Sequence, residues 1–269
     1  MSVTSDSKIK RRRKSVFSSE EVITQAIDKG QAKVKLAIGA KLILGFFGGA
    51  LIALGFLADV RVVAAVPKAW ASFAPVLGAG VFPLGLIVIL LMGGELVTGN
   101  MMVVSLSAYD HKVSWRDFLV NLLEITIMNF IGATCVAFFL GHVTGLTHAQ
   151  PVQATVIAMA QSKITMPFWA SLVSGVGCNW LVGISVWLAM AAKDGAGKML
   201  GIWLPIMAFV AIGFQHSIAN CFLIPAAIFE GGATWGQFVT NIIPVYLGNI
   251  IGGAGVVGGL YYLSLRKLR

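Results

Sequence analysis

The chain has 269 residues, of which 57% are hydrophobic and only 12% charged, and its mean hydropathy is +0.85. A soluble domain carries about 25% charged residues, so this composition excludes a globular enzyme with a single anchor and calls for an integral membrane protein. The formal net charge of +9 does not describe a nucleic-acid surface, because six of the cations lie in one run, KIKRRRK at Lys8–Lys14.

Residues 1–17 read as a mobile basic tail. A basic run ahead of a first span is a topology signal and a contact for anionic lipid. No short apolar core with a small-residue cleavage site follows, as a secretory signal would need. Residues 18–31 read as a short amphipathic helix at the membrane interface. Ser18 and Glu21 have capping-box spacing, Val22, Ile23, Ala26 and Ile27 form one face, and Gly30 is expected to end it. The remainder, 33–269, is the expected transmembrane domain.

Apolar segments follow at 36–58, 76–108, 117–141, 168–192, 199–229 and 241–265. A span needs about 20 residues. The second and fifth segments are too long for one helix and too short for two spans with a loop. Each carries a polar, glycine-containing cluster in its middle: GGELVTGN at Gly93–Asn100 and GFQHSIAN at Gly213–Asn220. Both are expected to be broken helices, since unwound backbone survives at membrane depth only where protein buries it or a cavity lines it. With six crossings and both termini on one side, that side collects 17 of the 20 Lys and Arg residues. The positive-inside rule makes it the cytoplasmic side of a cell membrane.

An internal repeat runs through the chain at a spacing of 120. It pairs Gly93 with Gly213, Glu95 with Gln215, Asn100 with Asn220, Trp115 with Trp235, Phe118 with Phe238, Asn121 with Asn241, Asn129 with Asn249, and Gly132 with Gly252. The register does not extend into the first and fourth spans. Three spans per unit, about 36–141 and 168–265, make the halves inverted in the membrane. Inverted halves with one interrupted helix each are a transport architecture, with the pathway at their interface.

Within this frame His216 is the only His, Lys, Arg, Asp or Glu between Met199 and Phe229. An ionisable group in a helix break at membrane depth is a functional candidate by default, able to orient an anion or hand it a proton. Thr98 lies in the matching break. Glu95, the only carboxylate of the second segment, reads as a tie for the broken backbone, and Asn179 and Asn249 as internal glue. Lys163, just before the fourth span, is placed to draw anions to a mouth. Phe82 and Phe209 precede the two breaks. The other histidines, His111, His142 and His148, fall near expected loops without metal-site spacing. Cys135, Cys178 and Cys221 sit in apolar segments as packing residues. No metal, cofactor or catalytic nucleophile–base set is expected, and hence no enzyme.

The two break motifs, together with CNWLV at Cys178–Val182 and IIPVYLGNIIGG at Ile242–Gly253, resemble the formate/nitrite transporter family over about residues 20–265. The resemblance implies an all-α, aquaporin-like protomer of six helices with helices two and five broken, assembled as a homopentamer with one pore per chain. It gives His216 the place of the central histidine and Thr98 that of the facing threonine. Lys163 would be the lysine of the outer vestibule, and Asn179 and Asn249 polar residues near the pore. Phe82 and Phe209 would form the outer constriction, and Leu86, with Val97, the inner one. Three positions depart from the family pattern. Gln215 replaces a glutamate, taking a negative charge from beside His216. Val97 replaces an aromatic, which would widen the inner slit, and Gly183 stands where cysteine is usual. The implied substrates are small monovalent weak acids, formate first, with nitrite, hydrosulfide, lactate or acetate as alternatives. An aquaporin-type neutral-solute pore would want paired Asn-Pro-Ala motifs, which the sequence lacks. An ion-coupled secondary transporter shares the inverted repeat.

Overall fold

The computed structural model describes residues 15–267. The basic run Lys8–Lys14, with most of the expected mobile tail, lies outside the described residues. Helix α1 spans Ser19–Lys35 and is held by a capping box in which Ser18 and Glu21 satisfy each other's backbone N–H. Gly30 does not end it. That glycine is buried inside the helix, where an added Cβ would strike the carbonyl of Val103. The apolar face is spent on protein rather than on lipid: Val22, Ile23, Ala26 and Ile27 pack against Met102, Val103, Leu106 and Val186.

Six stretches of helix among the described residues are long and apolar enough to cross a membrane: Ile38–Ala65, Lys68–Met92, Trp115–Val143, Phe168–Ala191, Gly195–Ile212 and Trp235–Arg266. Helix α2 covers Ile38–Ala65. The second stretch is a 3-10 turn at Lys68–Phe73 followed by α3 (Ala74–Val81) and α4 (Leu84–Met92). Pro83, which has no N–H to continue the ladder, separates α3 from α4, an interruption additional to the expected break.

The break itself comes at Gly93, whose φ of 96° only glycine adopts readily. Its N–H and that of Gly94 both close on the carbonyl of Ile89. After three extended residues, α5 (Val97–Tyr109) resumes. The second half repeats this. Helix α8 (Phe168–Ala191) is followed by α9 (Gly195–Ile212), then Gly213 at φ 87°, then α10 (Ser217–Phe229). At 13 residues, α5 and α10 are each about 20 Å long, half a membrane crossing. Each half ends in a helix that starts earlier than hydropathy alone suggests, by two residues in the first half and six in the second. These are α6 (Trp115–Cys135) and α11 (Trp235–Ile250), both capped by a side chain, Ser114 or Thr234, and both continuing in π-type winding, over Val136–Val143 and Ile251–Gly259.

The first and fourth spans do obey the repeat, at a spacing of 130 rather than 120. Gly132 would drive a Cβ into the carbonyl of Phe46, and Gly252 would drive one into that of Val176. Asn129 donates to the carbonyl of Gly45 at 2.7 Å, and Asn249 to that of Gly175 at 2.8 Å. The same spacing reaches further back. Helix α7 (Val152–Ile164), between the halves, buries Val152, Val156 and Ala160 where α1 buries Val22, Ala26 and Gly30. The repeat therefore includes α1 and α7. The ten extra residues of the first half fall between α2 and the first break, where the 3-10 turn and the Pro83 interruption lie.

Candidate functional site

The two breaks are built by one set of hydrogen bonds used twice. Asn129 Oδ1 accepts from the first N–H of α5, Val97, at 2.9 Å, and its Nδ2 donates to the carbonyl of Glu95 at 2.8 Å. Asn249 Oδ1 accepts from the first N–H of α10, Ser217, at 2.9 Å, and its Nδ2 donates to the carbonyl of Gln215 at 3.2 Å. Asn100 Nδ2 bridges Glu95 Oε2 and Asn121 Oδ1, at 2.8 and 3.0 Å; Asn220 Nδ2 bridges Gln215 Oε1 and Asn241 Oδ1, at 2.7 and 2.8 Å. Unwound backbone at membrane depth is thus satisfied by side chains.

These ties aim the N-termini of α5 and α10 at each other. Thr98 Oγ1 and His216 Nε2 meet at 3.0 Å, and both residues are buried. His216 also caps α10, its Nδ1 accepting the Ala219 N–H at 3.0 Å. A backbone N–H can only donate, so Nδ1 is the acceptor and the ring proton lies on Nε2, facing Thr98 Oγ1. The threonine hydroxyl proton is then free for a third group. Two helix N-termini carry partial positive charge, so the meeting point favours an anion.

On the side away from α1, Phe82 and Phe209 meet edge to face at 5.7 Å, and Phe209 stacks on the His216 ring at 5.7 Å. These three rings share a cavity of about 50 Å³ with Lys163, Asp59, Phe56 and Met159. The Lys163 ammonium donates to the carbonyls of Gly213 at 2.8 Å and Phe214 at 3.5 Å. Burial lowers its pKa from the ordinary lysine value, while Cys178 and Asp59 act to raise it.

On the side toward α1, Leu86 lines a gap of about 20 Å³ with Leu90, Gly99, Val186, Lys29 and Lys33. Val97 is not among its walls; fully buried, it opens α5 instead. A cavity of about 650 Å³ follows, edged by Lys29, Lys193 and Lys198.

The structure therefore brings His216, Thr98, Phe82, Phe209 and Lys163 together. Asn179 joins them from α8, donating to the carbonyls of Thr98 at 3.2 Å and Asn249 at 2.7 Å. Gln215 is adjacent in sequence but turns away: its Nε2 donates to the carbonyl of Lys163 at 3.1 Å. The Gln215 side chain therefore contacts the main chain of Lys163 and not the His216 ring. Glu95 ties more than backbone, since it holds the ammonium of Lys33 at 2.5 Å. Gly183 receives Val257 in close packing.

Two features escaped the sequence. Asp59 is 2% exposed with no hydrogen-bond partner for its Oδ2 among the described residues. It stands one residue past the expected end of the first span, and its charge within a longer apolar run, 38–65, was the available signal. His142, His148 and Glu230 form a cluster at the other end of α10. No spacing rule announces it, because the glutamate is more than 80 residues from either histidine.

The comparisons agree with this fold. The family described as Formate/nitrite transporter matches residues 20–263. An uncharacterized transporter, YrhG, of Bacillus subtilis is 53% identical over 92% of this chain and 93% of its own. The formate channel BtFdhC of Bacillus thuringiensis is 47% identical over 92% and 95%. A solved structure described as a pentameric formate channel with formate bound superposes with a TM-score of 0.75 at 28% identity, covering 86% of this chain and 98% of that one. With matched sequence over nearly its whole length, six candidate spans and two half-helices meeting at their N-termini, the chain is a multi-pass membrane protein that belongs to the formate/nitrite transporter family.

Proposed function

We propose that the chain is a channel for small monovalent weak acids, formate foremost, that cross as the neutral acid. The observation that carries this reading is the Thr98–His216 contact at 3.0 Å, set where two half-helix N-termini converge and flanked on both sides by lysine-lined cavities. Similarity to a formate channel 47% identical supports the choice of formate.

The steps follow from solvation. Lys163 concentrates the anion in the outer cavity. At the Phe82–Phe209 contact a bare anion faces a heavy desolvation cost, and low dielectric raises the acid's own pKa. Thr98, its hydroxyl proton free, orients the carboxylate. The proton comes from water in the outer cavity. A neutral imidazole cannot release its Nε2 proton, and a second proton on Nδ1 would oppose the Ala219 N–H. His216 therefore orients and does not supply the proton. The neutral acid passes Leu86 and ionises beside Lys33 and Lys29.

In this reading both termini are cytoplasmic, the membrane is the cell membrane and the assembly is a homopentamer. The basic surplus on the terminal side supports the orientation, and the solved pentameric relative supports the assembly. Labelled-formate uptake into proteoliposomes, measured across external pH with nitrite, hydrosulfide and lactate as competitors, tests the function. Uptake should rise as external pH falls and collapse in Thr98→Val. Uptake indifferent to both would sink the mechanism.

A further inference from the structure

Three side chains from distant segments meet at the end of the bundle opposite α1. His142 lies in the π-wound end of the third span, His148 in the loop that follows, and Glu230 caps the C-terminus of α10. Glu230 Oε1 is 3.1 Å from His142 Nδ1, and Oε2 is 2.9 Å from His148 Nδ1. The three ligand atoms all lie within 4.8 Å of one another. None of these residues lines the cavities described above.

We propose that His142, His148 and Glu230 bind a divalent transition-metal ion of the zinc class, with a remaining coordination position open to solvent. Two imidazole nitrogens and one carboxylate oxygen are a donor set that suits zinc, and three protein ligands with one open position are a common zinc arrangement. Tetrahedral bonds of about 2.0–2.2 Å set ligand atoms roughly 3.3 Å apart; each imidazole nitrogen lies 2.9–3.1 Å from one carboxylate oxygen and all three ligand atoms lie within 4.8 Å, so a small side-chain adjustment would close them on one ion. The outer shell is present too. Thr147 Oγ1 donates to Glu230 Oε1 at 2.8 Å, the kind of support that orients a metal carboxylate.

The site is preorganised. The His142 ring stacks on Phe138 at 5.9 Å and lies against Phe229 at 6.1 Å. The loop is braced by Thr147 N–H to the carbonyl of Gly141 at 3.1 Å and by Arg61 to that of Leu146 at 3.3 Å. The Glu230 side chain is wholly buried while that of His148 is 68% exposed, so an ion can reach the cluster from one side. On binding, each ring carries its proton on Nε2 and turns the Nδ1 lone pair to the ion. The ion would tie the segment joining the two halves to the end of α10.

The competing reading is a hydrogen-bonded pin that needs only protons. Tag-free, chelator-stripped protein in detergent, titrated with Zn²⁺ by calorimetry, separates the two. The metal site gives one ion per chain with Kd of about 1 μM or below, and Co²⁺ gives tetrahedral visible bands. Losing an outer-shell partner weakens metal binding about 10- to 100-fold, and losing a direct ligand costs at least that. His148→Ala, at an exposed position, should therefore weaken binding at least about tenfold, and His148→Gln likewise. His111→Asn, at the opposite end, should leave it unchanged. No saturable binding, or equal affinity in wild type and both His148 variants, would overturn the proposal.

Discussion

Lys33 and Lys163 stand at equivalent places in the two halves, 130 residues apart, and meet opposite partners. Lys33 is held by the carboxylate of Glu95. Lys163 faces Gln215 at the same relative position; among the described residues no ion pair joins it to a carboxylate, and its ammonium rests on the carbonyls of Gly213 and Phe214. The amide of Gln215 donates to the Lys163 carbonyl, which a carboxylate could not do. The Lys33 charge is thus paired with a carboxylate, and the Lys163 charge meets only carbonyl oxygens among the described residues.

Gln215→Glu should copy the inner arrangement at the outer mouth. The new carboxylate takes up the Lys163 charge and gives up the donor to its carbonyl. Half-saturating formate in proteoliposome uptake should rise about fivefold, equivalent to about 1 kcal/mol, with the maximal rate changed less. An unaltered half-saturation would show that Lys163 does not capture substrate.

His216 has two separable roles, capping α10 through Nδ1 and facing Thr98 through Nε2. Asparagine is a good N-cap and alanine is not, so His216→Ala should cost about 1 kcal/mol more than His216→Asn in stability. Both should lose most formate uptake, since neither presents a ring N–H to Thr98. Thermal unfolding in detergent read alongside uptake distinguishes the roles. A His216→Asn channel with full uptake would remove the imidazole from the pathway.

Asp59 shares a cavity with Lys163, where its carboxylate, whenever it is ionised, competes with substrate for the same ammonium. Asp59→Asn should lower half-saturating formate several-fold and leave the fold intact, because no hydrogen bond to Oδ2 is lost. If the variant instead binds formate more weakly, Asp59 is part of the site rather than its competitor.

Glu230 makes stability depend on pH at the acid end. Its carboxyl is held below the free value of 4.5. Its contribution is complete above that value and is lost as pH falls through the lower folded-state value. Glu230→Gln leaves part of a buried cluster unsatisfied and should cost about 1–3 kcal/mol at neutral pH. Unfolding midpoints of the two proteins should converge as pH drops below about 4.5. Parallel curves down to pH 3 would contradict this.

Much of the architecture was legible in the chain. Length and hydropathy give six crossings, because a membrane tolerates only helices that close their own hydrogen bonds. Gly93 and Gly213, each followed by polar residues, announce the breaks. The 120-residue spacing pairs Asn129 with Asn249, which bind the broken backbone in the same way. What hid was the change of spacing to 130 in the first span of each half. Ten residues inserted between α2 and the first break shift the register without disturbing the packing, so Gly132 on Phe46 and Gly252 on Val176 are equivalent in space and out of step in sequence. For the same reason α1 and α7 did not read as counterparts, and α1 looked like a lipid-facing helix.

The sequence by itself determined which segments cross the membrane, that the second and fifth break at Gly93 and Gly213, and which polar residues lie at those breaks, since these follow from local chemistry along one segment. Only the tertiary structure decided partners. It turned Gln215 toward Lys163, gave Lys33 to Glu95, set Asp59 in the outer cavity, and brought Glu230 to two histidines more than 80 residues away. Such contacts are made by packing helices distant in sequence, and no periodicity within one helix specifies which side chain of another will face it.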